Sequence, residues 1–206
     1  MRKRLLAATL QSLAEDGYTG ATLSAIVRRA GVSRGAQVHH YPNKQALMLD
    51  AAEDLLRRTY RTLGELLLSI ADESDRLQAL VDILWEQLFA IPLYRAYMEL
   101  QIESQRDALL RQALTTLLAR QVNVFETAID HYFEPAPGAN PNIHPMFLQL
   151  IMMLSGLAGH AHLLPEPDSV RSLLHQWVRQ SGAHMRARKG VRKPPPRPEN
   201  WAAQQP

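Results

Sequence analysis

Apolar residues over the first 50 positions recur at helical spacing in short groups separated by turn-forming residues. Leu5, Leu6, Leu10, Leu13 and Ala14 form the first stripe, predicting a helix from about Arg2 to Glu15. Gly17 ends it, and Tyr18 is expected to pack back as core. Leu23, Ile26, Val27 and Ala30 form a second stripe behind Thr22, a good N-cap. Gly31 stands where a helix end needs a left-handed residue, which glycine adopts without steric penalty. Val32 bridges the turn, and Ser33 caps a third helix that opens Arg34-Gly35-Ala36-Gln37.

Beyond this head the stripes lengthen. Asn43 caps a fourth helix reaching toward Leu68, able to act as a lever between head and body. Asp72 and Ser74 are start signals for a fifth, running through Leu77, Leu80, Val81, Leu84, Trp85 and Leu88 until Pro92 breaks it. A short helix follows from Leu93 to Ile102, then a long amphipathic one from about Gln105 to Phe133. The turn-rich stretch from Pro135 to Pro145 precedes two closing helices, Met146 to Leu163 and Ser169 to about Met185. The first of these is apolar nearly all round and must be covered on all sides, by its own chain or by a partner subunit. Small residues at Ser155, Gly156 and Gly159 would let another helix approach. Leu173, Leu174, Trp177 and Val178 would supply the rest of a four-helix contact. The fold class is therefore all-α: a three-helix head on a helical-bundle body.

Composition narrows the chemistry. Hydrophobic residues make up 46% of the 206, enough for a substantial core, and there are no cysteines, which removes disulfides, thiolate metal sites and cysteine nucleophiles. The apolar run from Phe147 to Ala158 is too short to span a bilayer, and the start carries no signal-peptide core. A cytoplasmic protein with no membrane partner is expected. The net charge of +3 hides an asymmetry. Residues 1–45 carry seven Lys/Arg against Glu15 and Asp16, and residues 186–206 carry six against Glu199, so the middle is acidic. Polyanion contact is then confined to the ends. From Lys189 the chain reads as a disordered basic, Pro-rich tail, either a weak DNA attractor or a solvated end.

Two short helices joined by a Gly-centred turn make a helix-turn-helix pattern, in which the start of the second helix faces base edges in the DNA major groove. Arg34 can read guanine or clamp phosphate, and Gln37 can pair with adenine. Ser33 heads the helix, whose N-terminal N–H groups suit phosphate. Small residues at Gly35 and Ala36 permit close backbone approach, and His39 or His40 can reach bases or backbone. Arg2, Lys3 and Arg4 oppose the helix dipole and are better explained by phosphate.

The span from Gly17-Tyr18 through Thr22, Gly31-Val32-Ser33-Arg34-Gly35, Tyr41 and Asn43-Lys44 to Leu47 resembles the TetR family of transcriptional regulators. The likeness covers roughly the first 50 residues. It implies that Lys44 and Thr22 contact phosphate, that residues 1–46 form the DNA-binding domain, and that residues 47–188 form a ligand-binding and dimerisation domain before the tail at 189–206. It also implies a homodimer through the last two body helices, a double-stranded operator and a small-molecule effector of unknown identity, with no cofactor. Two departures stand out: the family usually has Leu where this chain has Gln37 and Tyr where it has Val38, so an aromatic DNA contact is lost or passes to His39 or His40.

For the implied pocket the bulky candidates are Trp85, Phe89, Tyr94, Tyr97, Met98, Phe125, Met152 and Trp177, each of which plain core would also explain. Glu99, Glu103 and His160 are the polar candidates beside them. His160 and His162 do not share a helix face, so no metal site is expected. No HExxH, GxSxG or P-loop appears, and no catalytic residue is assigned. The competing readings are a helical interaction module and an all-α metal-dependent enzyme.

Overall fold

The computed structural model describes residues 1–70, 75–164, 166, 168–191, 193, 195 and 196. Among them the chain runs α1 (Arg2–Gly20), α2 (Leu23–Ala30), α3 (Arg34–His40), α4 (Lys44–Ser69), α5 (Arg76–Leu84), α6 (Pro92–Ser104), α7 (Ala108–Tyr132), β1 (Phe133–Pro135), α8 (His144–His160), α9 (Ser169–Ser181) and β2 (Met185–Ala187). It divides into two compact units, residues 1–60 with 91–119, and residues 61–90 with 120–206.

The first unit is larger than the three-helix head. Leu5, Leu6, Leu10 and Leu13 of α1, Ile26 of α2, Leu47, Met48 and Leu55 of α4, Ala96 and Leu100 of α6, and Leu110 of α7 share one core. The capping residues act as the sequence predicts. Thr22 Oγ1 accepts from the Ala25 N–H at 3.2 Å, Ser33 Oγ from Ala36 at 3.1 Å and Asn43 Oδ1 from Ala46 at 2.8 Å. Gly31 sits at φ 59°, ψ 43°, the left-handed cap. The first helix does not stop at Glu15. A turn continues to Gly20 past a kink at Gly17, whose φ of 72° excludes most side chains. Tyr18 packs against the core as expected.

In the second unit Leu80, Val81 and Leu84 of α5, Phe125 and Ile129 of α7, Phe147, Leu150 and Leu154 of α8 and Leu174 of α9 are buried. The Phe147 ring lies 5.9 Å from Phe125, 5.2 Å from Phe133 and 6.5 Å from Trp177, centroid to centroid. The start signals at Asp72 and Ser74 lie outside the described residues; Asp75 caps α5 instead, accepting from the Gln78 N–H. A π-turn, Trp85–Phe89, follows α5 before Pro92 opens α6.

Two departures concern the C-terminal end. α9 stops at Ser181, and Met185–Ala187 pairs antiparallel with Phe133–Pro135 in a two-stranded ribbon. The pairing Phe133↔Ala187 is between segments too short to carry an alternation signal. Two described residues of the expected tail are held by side chains of the body: Val191 O accepts from Arg76, and Lys193 O pairs with His131.

Along α8, Leu148 is 58% and Met152 60% exposed, Gly156 has open space beyond its Cα, and Leu163 just past the helix is 68% exposed. The stretch His144–Leu163 is long and apolar enough to cross a membrane by length and composition, yet only 22% of it is buried in this chain. Leu173 of α9 is 40% exposed, whereas Leu174 turns into the core of the second unit, so the apolar group expected of α9 splits between two faces.

Candidate DNA-binding interface

Helix α3 is seven residues long and has a buried side and an open one. Its inner side is held by hydrogen bonds that begin at Gln37. This residue is 1% exposed, and its Nε2 donates to the Tyr41 carbonyl at 2.5 Å, while the Tyr41 N–H returns a bond to Gln37 O at 2.7 Å. The expectation that Gln37 pairs with adenine is therefore corrected. Its amide closes the C-terminal end of α3 and is turned inward, away from solvent.

Tyr41 continues the chain of bonds. Its hydroxyl donates to Asp50 of α4, whose carboxylate also accepts from Arg2 Nε at 2.8 Å. Burial and the Asp50 carboxylate push the Tyr41 phenol up to about 12. Burial works against Asp50 itself, but the bonds from Arg2 and Tyr41 outweigh it and hold the carboxyl below its usual value. Arg2 and Arg4, expected on phosphate, both have work inside the head. Arg2 pairs with Asp50, and Arg4 Nη2 donates to Gly31 O at 2.9 Å across the turn.

The Gly17-Tyr18 corner is held from two sides. Glu99 Oε2 of α6 accepts from the Tyr18 N–H at 2.8 Å, and the Lys44 ammonium donates to Tyr18 O at 2.6 Å from 4.3 Å above the ring centroid. Burial draws the Lys44 ammonium below the usual lysine value, with the Glu103 carboxylate opposing the shift. Burial, then Glu103 and Asp107, push the Tyr18 phenol up. Glu99 is thus a support of the corner, a role the sequence does not signal because the partners lie 81 residues apart. On α2, Arg29 is pinned by Ser12, Glu15 and Asp16, while Arg28 beside it is exposed at the edge of a polar depression lined also by Gly20 and Ala25.

The open side of the head carries Thr22, Ser33, Arg34, Gly35, Val38, His39 and His40, all exposed. Arg34 has no intramolecular partner among the described residues, and the His39 and His40 rings meet edge-on at 5.4 Å. The hydroxyls of Thr22 and Ser33 already accept backbone bonds, which leaves their hydrogens to donate. Lys44 is half buried and turned inward.

The eight residues expected around a ligand are not gathered in one unit. Tyr94, Tyr97 and Met98 belong to the first unit; Trp85, Phe89, Phe125, Met152 and Trp177 belong to the second. Tyr94 and Tyr97 are in ring contact at 5.5 Å, and burial, then Tyr94, push the Tyr97 phenol up. Phe125 and Trp177 are linked through Phe147, a ring the sequence reading did not single out. Met152 is corrected: at 60% exposure it faces outward and lines no interior site. Among the described residues no cluster of three His, Cys, Asp or Glu could hold a metal.

Comparison with known proteins agrees with this geometry. Residues 5–56 match the family described as bacterial regulatory proteins, tetR family. The chain is 32% identical over 123 residues to the regulator CymR of Pseudomonas putida, a match that spans 60% of each chain. An HTH-type transcriptional regulator of Mycobacterium bovis is 26% identical over 169 residues, 80% of this chain and 84% of that one. A TetR transcription regulator from Haloarcula marismortui superposes with a TM-score of 0.71 at 17% identity, covering 90% of this chain and 98% of the other. Residues 5–56 thus carry a helix-turn-helix head of the tetR-family type, and the described fold as a whole resembles that of the Haloarcula structure. Through this head the chain is similar to the TetR family of bacterial regulatory proteins.

Proposed function

We propose that the protein is a ligand-responsive repressor that binds a two-fold symmetric operator as a homodimer. The observation that carries the DNA reading is the division of α3 into two sides. Gln37 and Tyr41 lock the inner side, and Arg34, Gly35, His39 and His40 are exposed to solvent. A rigid helix with small and cationic residues outward can enter a major groove without reorganising. Arg34 supplies base or phosphate contact, and Thr22 and Ser33 donate to phosphate. Lys44 contributes through a spare ammonium hydrogen while its first is given to Tyr18.

Self-association is supported by the uncovered face of Leu148, Met152, Gly156, Leu163 and Leu173. A second copy would cover it by a four-helix contact. Operator half-sites one helical turn apart then match two heads, and an effector in the body acts by favouring a head spacing that no longer fits. A small dimer occluding a promoter needs no further protein contact, which favours repression. The work is done in the cytoplasm, where the DNA is.

The test is selection of duplexes from a random pool by the purified protein, followed by gel shift. A symmetric site should emerge. Arg34→Ala should weaken binding to it by about tenfold or more while leaving helicity unchanged, consistent with about 1–3 kcal/mol for a guanine contact. Unaltered affinity at moderate salt would remove Arg34 from the interface.

A separate measurement addresses the bonds behind α3. Asp50→Ala should cost about 1–2 kcal/mol near neutral pH, since it strands the Tyr41 hydroxyl and frees Arg2. The folded-state carboxyl lies below its ordinary value. Its contribution is therefore complete above about pH 4 and is lost as pH falls through the depressed folded value. In thermal melts from pH 6 down to pH 2 the gap between parent and variant should narrow as pH falls; a constant gap would contradict the linkage.

A further inference from the structure

We propose that Val38 reads the 5-methyl group of a thymine in each operator half-site. The inference rests on the repressor reading above and assigns part of its base preference. At about 100° per residue, an α-helix with Gln37 pointing inward places Gly35 and His39 most outward, with Val38 beside them. Val38 is 53% exposed, and an added Cβ on Gly35 would find nothing nearer than Ser33 Oγ at 4.0 Å. The groove-facing surface next to Val38 is thus unobstructed.

A single exposed valine on an arbitrary surface needs no explanation. This one stands mid-helix on the only stretch of the head whose outer side carries the base-reading candidates, and it adds little to the fold. Its branched side chain lowers helix propensity, and half its surface lies open to water. The one apolar feature that the major groove offers at a base edge is the thymine methyl. Arg34 lies one turn earlier on the same flank. The rise between them is about 6 Å, so the thymine falls within about two base pairs of the Arg34 contact.

The experiment uses the full chain and the duplex it selects. Each thymine pair related by the two-fold is replaced by deoxyuridine, which keeps every hydrogen-bonding group and removes only the methyl. Binding is read by fluorescence anisotropy for the parent and for Val38→Ala. Loss of one buried methyl group predicts about fourfold weaker binding per half-site, hence about fifteenfold for the symmetric duplex. Val38→Ala should show a similar loss on the thymine duplex and no further response to deoxyuridine, with its melting temperature unchanged or raised. Specific binding that ignores every deoxyuridine replacement overturns the assignment, as does sensitivity that persists in Val38→Ala. Failure to select any sequence overturns the repressor reading beneath it as well.

Discussion

Arg76→Met is expected to lower the unfolding free energy by about 3 kcal/mol, a large loss for a single polar side chain. Arg76 is 5% exposed. Its Nε donates to Ile70 O at 3.1 Å, Nη1 to Tyr132 O at 3.4 Å and Arg188 O at 3.3 Å, and Nη2 to Val191 O at 2.7 Å. The guanidinium carbon also lies 4.9 Å from the centroid of the Tyr132 ring. Carbonyls from four separate places in the second unit are gathered on one planar fork, which only Arg among side chains can offer. Methionine retains the stem and the volume but has no donor to give. For a chain of this length the melting temperature should fall by roughly 6–12 °C. Arg76→Lys should lose less, because one ammonium can serve some of these oxygens. A Met variant melting within a degree of the parent would show that the fork contributes no net stability.

Met152→Glu is expected to separate the proposed homodimer and reduce affinity for the selected duplex at least a hundredfold, with little change in the melting of the isolated chain. Met152 is 60% exposed, so a carboxylate there is well solvated in a lone chain. In a four-helix contact the same carboxylate would be desolvated twice, once per subunit, and set near its symmetry mate. Together these cost about 4 kcal/mol or more, about a thousandfold in the dimer dissociation constant. A single head then holds only one half-site. Sedimentation at micromolar concentration and gel shift on the selected duplex would check both effects. A variant that remains dimeric would place the subunit contact elsewhere, and one that binds DNA unchanged as a monomer would remove the need for symmetry.

The head was legible in the sequence because its signals are local. Thr22, Ser33 and Asn43 each cap a backbone N–H three residues on, and Gly31 takes its left-handed conformation for reasons internal to one helix end. What stayed hidden depends on how the chain folds back, near at hand for Gln37 and over long separations for Arg76 and Glu99. Gln37 reads as an exposed polar residue until Tyr41 folds back over it, Arg76 reads as an ordinary surface cation, and Glu99 gives no sign of reaching Tyr18. The β1–β2 ribbon has three residues a side, below the length at which alternation can be recognised. Met152 gives no sign of facing outward, because a helix apolar nearly all round has no period that marks its inner face.

The ribbon has a practical corollary for anyone trimming the protein. A clone ending at Ser181, the last residue of α9, would discard Met185, which is 1% exposed, and two of the oxygens that Arg76 grips. A clone ending after Lys193 would keep the gripped oxygens and the His131 bond together while omitting the proline-rich stretch. The shortest sensible version of this regulator thus ends at Lys193, twelve residues beyond its last helix.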